Sequence, residues 1–154
     1  MTRAIGDHRS SYVHFHSITT RWLDNDAYGH VNNILYYSWF DTVVNQLLIS
    51  NAVLDIEHSP VIGLVIASHC DYFSPVAFPQ QITAGLRVAH LGQSSVRYEI
   101  AIFCEDAPIA SAQGYLVHVY VDRATRRPAA VPPAMRALLE KIRVPTTSSI
   151  ASQP

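Results

Sequence analysis

From Ile34 to about Ser50 the apolar side chains Tyr36, Tyr37, Phe40, Val43, Val44 and Leu47 recur at three- and four-residue spacing, while Ser38, Asp41, Thr42 and Asn45 lie mostly on the other side. That period predicts a helix of about four to five turns with a broad apolar face. Every other patterned stretch reads differently. Residues 12–22, 61–73, 81–91, 95–104 and 109–121 are strand-like, rich in β-branched and aromatic types. In the fourth, Val96, Tyr98, Ile100 and Ile102 alternate with Ser95, Arg97, Glu99 and Ala101, the period of two that marks a half-buried strand. Ser74-Pro75 with Pro79, Gly92-Gln93 and Glu105-Asp106-Ala107-Pro108 separate the last four strands, and such short connections predict antiparallel hairpins. Residues 132–143, opened by Pro132-Pro133, predict a short second helix. A long helix this apolar cannot lie on a surface. The expected fold is therefore α+β, with the sheet wrapped around the helix. The chain reads as one domain over residues 11–144, with a polar, flexible segment at 1–10 and a Ser/Thr/Pro-rich tail at 145–154 expected to be disordered.

Composition bounds the function. Charged residues make up 15% of the 154-residue chain against a usual value of about 25%, while 49% are hydrophobic. That shortfall predicts a surface partly buried against another copy of the chain. A net charge of −1, from 11 basic and 12 acidic residues, excludes a general nucleic-acid binder. No apolar run approaches ~20 residues and no apolar signal core is present, so a cytoplasmic protein without a membrane segment is expected. Cys70 and Cys104 show no metal spacing and read as reduced, buried thiols.

The chemistry concentrates just before the helix, in Asp24-Asn25-Asp26-Ala27-Tyr28-Gly29-His30-Val31-Asn32-Asn33. A calcium loop counted from Asp24 fails at its twelfth position, Leu35, which has no oxygen to offer, and the segment before it is β-like rather than helical. His14 and His16 share a strand face but have no third ligand at a recognisable spacing, so no metal is called for. Neither a G-x-S-x-G elbow nor a phosphate-binding glycine loop occurs. What remains is a carboxylate, Asp26, close to a helix start, with Gly29 allowing the chain to turn between them and Asn32 or Asn33 suited to cap the helix. A carbonyl laid at that terminus would receive the Asn33 N–H and feel the helix dipole, and Asp26 could attack it or activate a water. The residues alone leave a second reading open, in which the aspartates only make the turn and the asparagines only cap.

The pattern Arg21-Trp22-x-Asp24-x-Asp26-x-x-Gly29-His30-Val31-Asn32-Asn33-x-x-Tyr36 resembles the signature of hot-dog-fold acyl-CoA thioesterases of the 4-hydroxybenzoyl-CoA thioesterase type. Further marks follow in order at Asp71-Tyr72-Phe73-Ser74-Pro75, Leu91-Gly92-Gln93-Ser94-Ser95 and Val121-Asp122 through Val131-Pro132, so the likeness covers about residues 12–142. The resemblance implies a five-stranded antiparallel sheet around a long helix. It also implies dimers paired edge to edge, often assembled into tetramers, with the active sites at the dimer interface. It puts the catalytic carboxylate on Asp26, as general base or nucleophile, and the oxyanion donor on the backbone of Asn33. His30 and Asn32 support that site, and Gly29, Tyr36 and Tyr37 lie along the substrate. Among Arg87, Arg97, Arg123, Arg126 and Arg127, cations for the CoA phosphates are expected, with Arg97 and Arg126 named first. The chain departs from the pattern at Asp41, where relatives often carry Glu, and at Ala77-Phe78-Pro79-Gln80-Gln81, where a Gly-Asp turn is usual. The expected activity is hydrolysis of an acyl-CoA thioester without a cofactor. A non-hydrolytic acyl-CoA-binding module of the same fold is the alternative, and a dehydratase is a third reading.

Overall fold

The computed structural model describes residues 4–145. Strands β1 (His14–Thr19), β2 (Val61–Tyr72), β3 (Gln81–Leu91), β4 (Ser95–Cys104) and β5 (Ala112–Asp122) form one antiparallel sheet in the order β1-β3-β4-β5-β2. Helix α1 (Ile34–Ser50) and helix α2 (Pro133–Glu140) pack on it. The helix-facing row of β4, namely Val96, Tyr98, Ile100 and Ile102, is fully buried together with Tyr36, Trp39, Phe40, Val43, Val44, Leu47 and Leu48 of α1. The predicted periods are thus the observed ones, and the sheet wraps the helix as its apolarity demands.

Two expectations change. The strand read over 12–22 stops at Thr19, because Arg21 and Asp24 cap each other around a 3₁₀ turn at Trp22–Asp24. And β2 does not form a hairpin with β3. It pairs with β5, from Val61 opposite Asp122 to Tyr72 opposite Ala112, so the 73–80 connection crosses from one side of the sheet to the other. On its way it is tied to the chemistry-bearing loop: Val31 N–H donates to Val76 C=O at 2.7 Å, and Phe78 N–H to Asn25 Oδ1 at 3.0 Å. Turn residues mark where a chain bends but not which strand it rejoins.

A bulge between Val65 and Ala67 adds one residue to β2. The extra residue shifts the alternation, so Tyr72 and Cys70 at one end and Val65 and Gly63 at the other stand opposite the helix-facing row of β5 (Ala112, Gly114, His118, Tyr120). The far face carries a smaller cluster of Tyr12, Ala101, Phe103 and Ala110. Residues ahead of β1 lie over it. The Arg9 guanidinium stacks on Phe103 at 4.7 Å and donates to Ala107 C=O, and Ala110 N–H donates to Asp7 C=O at 2.9 Å. Polarity alone gives no sign of these contacts. The expected disordered tail lies, from residue 146, outside the described residues.

Candidate active site

The run between the 3₁₀ turn and α1 folds into a small closed loop. Asn25 and Val31 form an antiparallel bridge, Asp26 N–H donates to His30 C=O at 2.9 Å, and Gly29 N–H donates to Asp26 C=O at 3.2 Å. Gly29 has φ +83° with open space where a Cβ would stand, so backbone conformation rather than crowding demands glycine there. The two carboxylates take different places. Asp24 is buried and accepts from the Arg21 N–H and Nε. Asp26 turns the other way. Its Oδ1 accepts from Tyr28 N–H at 2.8 Å, while Oδ2 stands 3.6 Å from His30 Nδ1, close enough for charge attraction but too far for a hydrogen bond.

Asn32 is the cap. Its Oδ1 accepts from Ile34 N–H at 3.1 Å, its C=O from Leu35 N–H at 3.0 Å, and its own N–H goes to Asp24 C=O at 2.9 Å. Asn33, already helical at φ −54° and ψ −30°, makes no side-chain cap. Among the described residues no acceptor takes the Asn33 N–H, so this donor is left at the positive end of α1. Its C=O is held from across the chain, where Tyr72 Oη donates to it at 3.0 Å.

One cavity of about 410 Å³ collects these groups: Asp26, His30, Val31, Asn33 and Tyr36 from the motif and α1, with Tyr72, Phe73, Ser74 and Pro75 from the end of β2 and the start of the crossover. Burial pushes the Tyr36 phenol up to about 12 and the Tyr72 phenol up as well, so both stay neutral, with their rings edge to face at 5.0 Å. The cavity therefore offers one carboxylate, one imidazole, one free backbone donor and aromatic walls. That set can polarise a carbonyl and deliver a water or a carboxylate oxygen to it.

Of the residues singled out in the sequence, Asp26, His30, Asn33 and Tyr36 meet on this cavity. Gly29 and Asn32 shape the loop and the cap without lining it. Tyr37 packs on Phe40 at the edge of the core. Arg97 is elsewhere, on the far face of the sheet, 3.8 Å over Tyr115 and 3.4 Å from Glu99. Arg126 lies in the turn after β5, beyond the Val61 end of β2. Eleven strand steps put that end about 36 Å from Tyr72. Sequence reasoning does not assign Tyr72–Pro75 to the site; the Ser74-Pro75 turn after a strand is its visible trace. Among the described residues no group of three or more His, Cys, Asp or Glu side chains gathers to hold a metal, and no helix is long and apolar enough to cross a membrane.

Residues 20–139 match the thioesterase-like superfamily. No curated protein matches the chain. Among solved structures, a protein of Pseudomonas aeruginosa strain PAO1 is 54% identical over 90% of this chain and 96% of its own, with a TM-score of 0.88. A second protein of that species, named as a candidate thioesterase, is 30% identical over 82% of this chain and 97% of its own, at 0.76. A thioesterase from Thermus thermophilus, complexed with coenzyme A and zinc, is 25% identical over 83% of this chain and 92% of its own, at 0.69.

Proposed function

The chain belongs to the thioesterase-like superfamily, and we propose that it hydrolyses an acyl-CoA thioester to the free carboxylic acid and CoA. The observation that carries this reading is the pairing of the Asp26 carboxylate with the unclaimed Asn33 N–H on the walls of one cavity at a helix N-terminus. The thioester carbonyl oxygen takes the Asn33 N–H. Asp26 Oδ2, without a hydrogen bond of its own among the described residues, removes a proton from water as the water oxygen adds to the carbonyl carbon. Negative charge then gathers on the former carbonyl oxygen, where the N–H and the helix dipole stabilise it. Collapse breaks the C–S bond, and the proton held by Asp26 passes to the departing CoA sulfur. Direct attack by Asp26 uses the same geometry, with water then hydrolysing the acyl-aspartate.

A second copy of the chain completes the site. Among the described residues, strand β2 is an unpaired edge of 12 residues, twice the length of the other edge strand, β1, which has six. Leu64, Val65 and Ile66 in its first half are exposed, as is Ile56 ahead of it. A long apolar edge is the surface a soluble protein covers, and antiparallel pairing of β2 with itself about a two-fold axis covers it on both copies. That pairing carries the turn after β5 of each subunit to the Tyr72 end of the other. There Arg126 and Arg127 of the partner subunit stand by the cavity mouth, where the CoA phosphates would lie. The test is release of CoA thiol from short, long and aromatic acyl-CoAs. Turnover lost in Asp26→Asn supports the assignment; tight acyl-CoA binding without turnover favours the non-hydrolytic module.

A further inference from the structure

A second cavity, of about 170 Å³, lies at the opposite end of α1, lined by Asn45, Leu48 and Leu54 with Gly63, His118 and Tyr120. We propose that this chamber receives the far end of the acyl group bound at the partner's Asp26, and that His118 selects acyl groups carrying an uncharged hydroxyl or oxo substituent. The proposal rests on the thioesterase reading and on the β2 pairing above.

His118 is 4% exposed, and among the described residues its Nε2 has no hydrogen-bond partner. It stands in the helix-facing row of β5 between Leu116 and Tyr120, where an aliphatic side chain would bury at no cost in hydrogen bonds. Two phenols beside it are occupied with each other: Tyr98 Oη and Tyr120 Oη share a hydrogen bond at 2.7 Å, although the Tyr98 ring lies only 5.0 Å from the imidazole. An orphaned buried imidazole weakens a fold unless a ligand meets it. Space is also kept for one. A Cβ on Gly63 would stand 2.9 Å from His118 Nδ1 and 3.2 Å from Tyr120, so glycine there keeps Nδ1, the ring nitrogen other than the orphaned Nε2, uncrowded on the chamber side.

The chemistry of the occupant follows from the walls. Burial lowers the His118 pKa to about 4, so the ring is neutral near pH 7, with one N–H donor and one acceptor nitrogen. Among the described residues no Lys or Arg lines the chamber, so a carboxylate or phosphate finds no counter-charge from them there. An aliphatic chain bearing a hydroxyl or carbonyl oxygen fits both the apolar walls and the waiting imidazole. Within one subunit the chamber is remote from Asp26, because Gly63 and Tyr72 are at opposite ends of β2. The two-fold pairing reverses this. With the axis through the exposed Leu64–Ile66 stretch, the partner's Gly63 comes alongside the second half of β2, the half that leads to the Asp26 cavity.

Two experiments on the dimer test this. In the first, calorimetry compares acyl-CoA thioether analogues, which cannot be hydrolysed, of one chain length with and without a hydroxyl at successive carbons. At one position the hydroxylated analogue should bind roughly 10-fold more tightly, the scale of satisfying one buried neutral group, and His118→Leu should remove that preference alone. Equal binding at every position, or a preference that survives His118→Leu, overturns the proposal. In the second, Asp26→Asn and Gly63→Leu chains, each inactive alone and each a folded dimer by circular dichroism and light scattering, are mixed through unfolding and refolding. Random pairing makes half the dimers mixed, each with one intact composite site, so about a quarter of wild-type activity returns. No recovery from mixed dimers overturns the shared arrangement. Gly63→Ala replaces Gly63→Leu if the larger residue prevents folding. A protein that shows the hydroxyl preference in calorimetry but hydrolyses no thioester refutes the proposed activity while leaving the His118 assignment standing.

Discussion

Asp24 and Asp26 are two residues apart and face different surroundings, so neutralising each should damage a different property. Asp24 is 1% exposed and accepts from the Arg21 N–H at 2.8 Å and from Nε at 2.9 Å. The Arg21 side chain is 73% exposed, so water screens most of that ion pair, and the backbone N–H bound to a charged acceptor is the larger contribution. Such a bond is worth roughly 1.5–3 kcal/mol. Asp24→Ala should thus cost about 2–3 kcal/mol, a fall of roughly 5–10 °C in Tm for a chain of this size. Asp26 is different. Its Oδ1 holds the Tyr28 N–H, a bond that asparagine retains, so Asp26→Asn should leave Tm within about 2 °C. It removes the one carboxylate on the cavity, and the expected loss in kcat is at least ~100-fold, or about 2.7 kcal/mol of barrier. The assay pairs CoA thiol release at saturating substrate with calorimetric unfolding of the same preparations. An Asp26→Asn protein that keeps more than about a tenth of its activity, or an Asp24→Ala protein that loses activity at unchanged Tm, refutes the division of labour.

Replacing Leu64 and Ile66 together with lysine puts charge on the exposed first half of β2; light scattering should then show monomers, with activity lost in parallel. Tyr72→Phe removes the hydroxyl that holds Asn33 C=O, so a loss of about 1 kcal/mol in stability is expected by urea unfolding. The pKa of His118 is about 4 in the folded chain against about 6.5 unfolded, so the unfolded state takes up the proton first. Its contribution to stability is therefore full above pH ~6.5 and falls by roughly 3 kcal/mol as the pH drops through 4. His118→Leu should flatten that acid limb in unfolding followed at pH 4–7. The Cys70 thiol, raised by burial to about 11, should react with maleimide far more slowly at pH 8 in the native protein than after unfolding.

Local pattern made much of this structure readable, and long-range pairing set the limit. Helix α1 begins and ends where the three- and four-residue spacing does, and β3 and β4 span the strand-like runs 81–91 and 95–104 residue for residue. Those signals are carried by neighbours in the chain. The partner of β2 is not, since any of the strands could satisfy its backbone, and its pairing with β5 emerged only from the fold. The site divides in the same way. Asp26, Gly29 and Asn33 lie within one turn and announce themselves by residue type. Tyr72 joins them from 39 residues beyond Asn33; it stood inside the Asp71–Pro75 mark of the resemblance, but nothing in the sequence placed its hydroxyl on the helix start. His118 was not singled out in the sequence; its phase with Leu116 and Tyr120 on β5 is the signal that would have found it.

The two edges of the sheet give the molecule a valence. After β1 ends its six-residue pairing with β3, the exit from α2 takes over that flank: Val88 N–H donates to Ile142 C=O and Val144 N–H to Val88 C=O, each at 3.0 Å. One rim is thereby short and partly occupied, and the other is long and open. Under the proposed β2 pairing the long rim of each copy is used up in one encounter, and the outer edge of β1 offers a further copy only half that length. By pairing with Val88 beyond the end of β1, the residues after α2 keep that second edge from lengthening along β3.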